Sequence, residues 1–261
     1  MKNSTFKFVL AFGLLLPFLP EAQGASILKT CAVAGAFSTR LECTIKLKGV
    51  IEKDDAEQLR NALLAHPDLY ENGELLLDSL GGDVDEAIKI SMIMNEWVGR
   101  ASVAQRGVCA GACFLVWISA PFHGTVSTNL SGVPLIWLSM PHLSMDELKN
   151  LPADQIREAK ARSALRIREF LSEQNLSQRL VDVMMSRDSH DPYILRRADL
   201  VEVKALSPSM QKLSATECGS NPRAHSNVIE ANMSISREWW SPVSCINEIV
   251  RKRRPAKLEP A

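Results

Sequence analysis

Residues 107–120 constrain the fold more than any other stretch of this chain. They read Gly-Val-Cys-Ala-Gly-Ala-Cys and continue as an almost wholly apolar run, and a strand-like segment at 101–105 precedes them. A strand, a glycine turn and a buried helix form the elbow that presents a nucleophile at the top of an α/β sheet. Small residues at such a turn let backbone N–H groups approach a ligand closely. The central residue of this elbow is Gly111, which has no side chain.

The first half of the chain alternates strand-like and helix-like segments. Residues 42–50 alternate apolar and polar side chains, and residues 74–77 have the apolar centre of a strand that is buried on both faces. This alternation, completed by residues 101–105 and the elbow helix, predicts an α/β fold with right-handed crossovers and a parallel sheet. The helices between these strands are predicted at residues 54–64, with Asp54 or Asp55 as the cap, and at 83–98.

The second half is predicted to be mainly helical. Residues 121–133 are rich in Gly, Ser, Thr and Asn and predict a loop, in which His123 has no identified partner. We expect one domain over residues 25–206 and a small extension over 207–261, where Ser, Pro, Asn and Thr dominate and only fragments of pattern remain. The other elements expected here are a strand at 135–140 and helices at 144–147, 152–173 and 177–185.

The N-terminus predicts an exported protein. Lys2 and Lys7 precede the apolar run 8–19, and Ala22-Gln23-Gly24 places small residues where a signal peptidase reads. Removal of residues 1–24 is therefore expected, because the apolar run is short for a membrane anchor, the alternative. No later segment is long and apolar enough to span, so we expect a periplasmic or secreted protein with no stable membrane span after cleavage. Lys plus Arg and Asp plus Glu are 30 each, and such a neutral chain has no global field to steer nucleic acid.

Six cysteines fit an exported protein. Sequence alone leaves their connectivity open. Cys109 and Cys113, placed four apart on one helix face beside the elbow, either form a local disulfide or stay reduced and pack as small hydrophobes. No cysteine or histidine stands at zinc-finger spacing, and neither a metal nor a cofactor is expected. The cysteines fall into three couples, Cys31 with Cys43, Cys109 with Cys113, and Cys218 with Cys245.

Two motifs together resemble a known family. Ser79-Leu-Gly-Gly82 lies between a strand and a helix, and Gly107-x-Cys-Ala-Gly-Ala-Cys113 follows the next strand. The pair is similar to Clp-type serine peptidases within the crotonase superfamily, and most similar to a secreted bacterial branch with a Cys-x-Ser-Ala-Cys elbow. The resemblance spans residues 41–203. It implies a ββα superhelix with a parallel sheet, a helical handle at residues 152–185 through which homo-oligomers form, and a disulfide-tied C-terminal extension.

The resemblance also implies a site for acyl transfer, with serine, histidine and aspartate in a triad. The family's oxyanion donors correspond to the N–H groups of Gly82 and Ala112, and its aspartate to Asp188. The two reactive positions differ. Gly111 stands at the serine position, and Ser139 stands at the histidine position, two residues before a proline. His142 lies three residues later and serves as the base only if the strand end is shifted.

These residues leave three functions open. The first is an exported Clp-type homologue that has lost catalysis and binds a peptide, protein or acyl ligand in the old groove. The second is an active peptidase or esterase, of the serine endopeptidase class, that uses Ser139, Ser79 or a reduced cysteine with His142. The third is a crotonase-like protein in which the Gly111 N–H binds a thioester, although coenzyme A is a cytoplasmic ligand. The kept donors and missing reactive groups favour the first.

Overall fold

A computed structural model describes residues 24–33, 41–65, 74–97, 100–104, 106–125, 135–141, 148–149 and 151–218, with the single positions 227, 245 and 248. The predicted leader up to residue 23, the short helix predicted at 144–147 and His142 lie outside these residues. No helix within the described ranges is long and apolar enough to cross a membrane.

A five-stranded sheet forms the centre of the molecule. Its first strand pairs antiparallel with the second, and every later neighbour is parallel. The predicted α/β fold with a parallel sheet is therefore confirmed. In spatial order the strands are β1 (Ser26–Val33), β2 (Leu41–Lys48), β3 (Glu74–Asp78), β4 (Arg100–Val103) and β6 (Phe122–Thr125).

Two helices, α1 (Asp55–Leu64) and α2 (Val84–Trp97), follow strands β2 and β3 of this sheet. A third, α3 (Ala112–Ser119), follows the short strand β5 (Val108–Ala110). Every residue of α3 is buried, as its continuous apolar sequence predicts, and Trp117 belongs to the core. The expected side-chain cap of α1 is wrong. Asp54 occupies the N-cap position without a side-chain cap bond, and the Asp55 carboxylate instead accepts hydrogen bonds from the amides of Glu52 and Ala25.

A second, three-stranded sheet carries the elbow. It consists of β5 (Val108–Ala110), β7 (Leu135–Leu138) and β8 (Tyr193–Ile194), with β7 parallel to β5 and antiparallel to β8. The expectation that residues 101–105 lead directly into the elbow is thus wrong, because β5 intervenes. Cys109 consequently lies on a strand and Cys113 on a helix, so the two do not share a helix face. The structure joins them in a disulfide.

The loop predicted over residues 121–133 contains a strand where it is described. Phe122–Thr125 is β6, which pairs parallel with β4. His123 is accordingly a buried strand residue rather than a loop residue. Its ring lies 4.9 Å from that of Trp117 in an edge arrangement, and its Nδ1 lies 3.2 Å from the Ala120 oxygen. A four-residue strand among turn-forming residues carries no readable period, which explains the error.

The second half adds four described helices, α4 (Ala153–Glu173), α5 (Gln178–Ser186), α6 (Arg197–Leu200) and α7 (Pro208–Glu217). The first two are the helices predicted as the handle. The third helix of this half, α6, is a single turn. The fourth corrects the expectation that only fragments of pattern follow residue 207, because Pro208 opens a helix that buries Met210 and Leu213.

The structure resolves the connectivity that the sequence left open for two of the three couples. Disulfides join Cys109 to Cys113 and Cys218 to Cys245. Cys31 is disulfide-bonded and stands opposite Cys43 in the register of β1 and β2, while the side chain of Cys43 lies outside the described residues. The division of the chain at residue 206 stays a prediction.

Candidate functional site

The elbow is a sharp turn from β5 into α3. Gly111 occupies the turn with φ 52° and ψ −119°, a backbone conformation that side-chain-bearing residues rarely adopt. A strained strand-to-helix turn of this kind is the geometry in which a nucleophile is held exposed at a sheet edge. The residue that stands there in this chain has no side chain to present.

The loop after β3 is hydrogen-bonded to the strand that leads into the elbow. The Ser79 amide donates to the Val108 oxygen at 2.7 Å, and the Ala110 amide donates to the Ser79 oxygen at 3.0 Å. Gly81 then lies so close to the turn that an added Cβ would be 2.8 Å from the Ala110 oxygen. Glycine at position 81 is thus what lets the loop and the elbow touch.

Gly82 is held by the segment before α1. The Ile51 amide donates to the Gly81 oxygen at 2.7 Å, and the Asp83 amide donates to the Ile51 oxygen at 2.8 Å. A Cβ at Gly82 would lie 2.1 Å from that Ile51 oxygen, and φ is 137°. Both observations require glycine.

The two predicted oxyanion donors keep their N–H groups available. Ala112 is the first residue of α3, and the first amides of a helix have no partner within it. Because Gly81 and Asp83 make the contacts with Ile51, the Gly82 amide is not used there. Within the described part of the chain, neither the Gly82 nor the Ala112 amide donates a hydrogen bond. Their role as an oxyanion hole stays a prediction.

Ser139 lies directly beside the elbow. A Cβ added to Gly111 would be 3.7 Å from the Ser139 Oγ and 3.6 Å from the Pro141 Cα. Ser139 follows β7 and is 3% exposed. Its hydroxyl makes no hydrogen bond to any described residue. The structure therefore brings together the two positions at which the resemblance implies a nucleophile and a base, and neither carries the side chain that the reaction needs.

Asp188 lies at the same end of β7. The Met140 amide donates to the Arg187 oxygen at 2.8 Å and ties this loop to the strand end. The Asp188 carboxylate accepts hydrogen bonds from the amides of His190 and Asp191, at 2.8 and 2.9 Å. The Asp188 carboxylate thus stabilises the turn at residues 188–191. His142, the alternative base, lies outside the described residues.

The other candidate reactive groups are committed elsewhere. The Ser79 hydroxyl donates to the Gly81 oxygen at 3.3 Å and accepts from the Gly81 amide at 3.1 Å. Cys109 and Cys113 are both buried and joined in a disulfide, so no thiolate forms beside the elbow in this state.

His123 is also unsuited to act as a base at the elbow. Burial lowers the pKa of His123 to about 4, and hydrogen bonds of its ring with the backbone of Ala120 and Lys204 only partly offset the effect. It packs at the far end of α3, which at eight residues is about 12 Å long.

Two surface clefts are lined by residues other than Gly82, Gly111, Ala112 and Ser139. The first, of about 470 Å³, is lined by α4 and α5, and the second, of about 440 Å³, by the loop around β8. The candidate site is therefore defined by the geometry of the elbow.

Comparisons with known proteins give similarity of fold at low sequence identity. No protein-family model matches the sequence, and no curated protein is significantly similar to it. Among solved structures, ClpP1 from Listeria monocytogenes is similar with a TM-score of 0.45 and 15% identity, over 62% of this chain and 88% of that one.

Two further protease structures are similar. The ClpP catalytic domain from Plasmodium falciparum has a TM-score of 0.44 and 20% identity, over 62% of this chain and 82% of that one. A mutant of the 1510-N membrane-bound stomatin-specific protease has a TM-score of 0.43 and 12% identity, over 67% and 83%.

The structure also reveals a buried polar cluster that the sequence analysis missed. Asp55 and Glu86, on α1 and α2, are both almost fully buried, and the Ala56 amide donates to Glu86 at 2.8 Å. From the sequence, Asp55 is expected only as a possible cap of the first helix, and Glu86 has no assigned role. Only the packing of α1 against α2 places them in the interior.

Proposed function

We propose that this protein is an exported, non-catalytic homologue of Clp-type serine peptidases that binds a peptide or acyl group at the elbow. The observation that carries the proposal is Gly111. It occupies a nucleophile-type turn, and its missing side chain would point toward Ser139. A covalent route needs a nucleophile and a base within hydrogen-bonding reach. The described residues place the Ser139 hydroxyl at this point and no imidazole beside it.

Binding is supported by what the site keeps. Gly82 and Ala112 retain the glycine-dependent loop and the helix start that would direct two N–H groups at an acyl oxygen or a peptide carboxylate. Without a nucleophile, these donors hold a carbonyl group and do not cleave it. Binding and an oxyanion hole alone retain about 10³–10⁴-fold acceleration over water, far below that of a working peptidase.

Export is supported by the disulfides. Cys109–Cys113 and Cys218–Cys245 are typical of an oxidising compartment, and they agree with the leader predicted over residues 1–24. We infer that the mature protein is periplasmic or secreted.

The loss of catalysis is tested with reactive probes. The oxidised protein is treated with a fluorophosphonate and with iodoacetamide, digested and mapped, with trypsin as the positive control. We expect no serine or cysteine to be labelled and no hydrolysis of casein or peptide esters. Labelling of Ser139 or Ser79, together with hydrolysis that Ser139→Ala abolishes, would establish the rearranged hydrolase instead.

The binding function is tested at a single donor. Ala112→Pro removes one N–H at the first position of a helix, where proline is tolerated, and Ala112→Gly keeps the N–H as the matched control. Fluorescence anisotropy with labelled casein peptides should show binding that weakens at least tenfold in Ala112→Pro and remains in Ala112→Gly. Equal loss in both variants, or no binding by the parent, contradicts the proposed donor role. A thermal shift with acyl-CoA and none with peptides would favour the crotonase-like reading.

A further inference from the structure

The predicted leader junction contacts the start of α1 through a hydrogen bond between Ala25 and Asp55. The Ala25 amide donates to the Asp55 Oδ2 at 3.2 Å, and in the full chain Ala25 is 3% and Asp55 0% exposed. Ala25 is also the residue that follows the predicted cleavage point, since Ala22 and Gly24 are the small residues that a signal peptidase reads. The backbone nitrogen of the first residue of the mature chain would therefore lie within hydrogen-bonding distance of a buried carboxylate.

Asp55 is a buried acid that lacks a cation. Its hydrogen bonds come from neutral groups, the amides of Ala25 and Glu52 and the more distant Gln58 side chain. No ion pair to Asp55 forms among the described residues, whereas its neighbour Glu86 is paired with Lys89 at 2.8 Å. Burial raises the pKa of the Asp55 carboxyl, the two amide hydrogen bonds oppose the rise, and the charges of Glu86 and Glu52 add to it. A positive charge delivered to this point would remove the imbalance.

We propose that removal of the leader supplies this charge, because the new α-ammonium group of Ala25 forms a buried ion pair with Asp55. The inference rests on the export clause of the proposed function. A signal peptidase adds water across the Gly24–Ala25 peptide bond, the leader leaves with a carboxylate on Gly24, and Ala25 becomes a protonated amine. The nitrogen that donates one hydrogen bond as an amide then carries a full charge at the same place.

The ion pair would act on the candidate site through one short segment. The Asp55 Oδ2 that meets Ala25 also accepts the Glu52 amide at 2.8 Å. The preceding residue, Ile51, makes both hydrogen bonds to the Gly81–Asp83 loop. A stronger fixation of Glu52 by Asp55 therefore stabilises the loop that carries Gly82. Removal of the leader would thus affect the order of the elbow.

The test compares two N-termini in a thermodynamic cycle. One protein begins with Ala25, released from a cleavable fusion, and the other retains Gln23 and Gly24. Each is made as the parent, as Asp55→Asn, and as Asp54→Asn, whose carboxylate is exposed and adjacent. Thermal midpoints are measured by circular dichroism. Amide hydrogen exchange at Ile51 and Asp83 reports on the loop.

We expect Asp55→Asn to lower the midpoint by at least about 4 °C more in the Ala25 form than in the extended form. Exchange at Ile51 and Asp83 should be slower in the Ala25 parent than in the extended parent, and Asp54→Asn should act equally on both forms. An equal effect of Asp55→Asn in the two forms overturns the ion pair. Should Asp55→Asn fail to fold, selective acetylation of the Ala25 amine serves instead, and an unchanged midpoint overturns it.

The leader cut is tested separately. The intact mass and N-terminal sequence of the protein exported from a bacterial host should show Ala25 first. A different first residue refutes natural processing at this bond, while the engineered Ala25 form still reports on Asp55. Neither readout depends on whether the elbow binds or hydrolyses anything.

Discussion

Replacement of Gly82 and Gly111 by alanine should have different effects, because Gly82 has no space for a Cβ and Gly111 has. At Gly82, an alanine Cβ would lie 2.1 Å from the Ile51 oxygen and 2.7 Å from the Ile51 nitrogen. Gly82→Ala must therefore push the Ile51 segment away and break its hydrogen bonds with Gly81 and Asp83. At Gly111 the nearest atoms would be 3.6–3.8 Å from the new Cβ, which is ordinary contact, so Gly111→Ala is strained only by its φ of 52°.

The expected costs follow from these distances. A side chain in a sparsely populated backbone region costs about 1–3 kcal/mol, and Gly111→Ala should cost no more. Gly82→Ala adds the loss of two hydrogen bonds, at about 0.5–1.5 kcal/mol each, and the overlap itself, for a total of at least about 4 kcal/mol. At about 2–4 °C per kcal/mol for a chain of this size, the midpoint should fall by about 2–12 °C for Gly111→Ala and by at least about 8 °C for Gly82→Ala.

Differential scanning calorimetry of the mature protein measures both midpoints in one buffer, with the disulfides kept oxidised. Gly82→Ala should have the lower midpoint of the two. A Gly111→Ala variant that is as unstable as Gly82→Ala, or more so, would show that the elbow has no room for a side chain. The argument that Gly111 occupies an intact nucleophile position would then be refuted.

Two further predictions concern the core and the surface. Because burial lowers the pKa of His123 from 6.5 to about 4, the unfolded state takes up this proton first, and about 3 kcal/mol of stability should be lost as the pH falls through that window. In chemical unfolding from pH 7 to 4, His123→Asn, whose amide can replace the bond to Ala120, should lose less stability than the parent. An equal loss in the two proteins would contradict the role given to His123. Arg179 pairs with the buried Asp199 at 2.6 Å. Arg179→Met should therefore lower the thermal midpoint by several degrees, and more than loss of the exposed Arg168, while equal midpoints would show that the remaining partners of Asp199 suffice.

The parallel sheet could be predicted because its signals are local. Strand β3 is a short apolar run, strand β2 alternates apolar and polar residues, and helix α2 begins directly after an aspartate. This alternation of strand and helix signals specifies the crossovers. The strands β5 and β6 could not be read in the same way. They have three and four residues, lie among small or turn-forming residues, and are extended only because distant strands pair with them.

In the candidate site, too, one feature could be predicted from the sequence and another could not. The resemblance implies that Ser139 lies beside Gly111, and in the structure a Cβ added to Gly111 would be 3.7 Å from the Ser139 Oγ. The burial of Asp55 could not be foreseen, because it depends on Ala25, thirty residues away in sequence. An aspartate at a helix start is usually a cap, and tertiary packing decided otherwise here.

The most direct test of the central claim is to restore the two missing side chains. Gly111→Ser with Ser139→His places a hydroxyl and an imidazole at adjacent positions in a frame that keeps Gly82, Ala112 and Asp188. Fluorophosphonate labelling with peptide mapping is applied to the parent, both single variants and the double variant. We predict no labelling of the parent and labelling at position 111 in the double variant alone. Labelling of the parent at any serine would contradict the claim that this elbow has lost its nucleophile, and a folded double variant that remains unlabelled would contradict the claim that the frame around it is preserved.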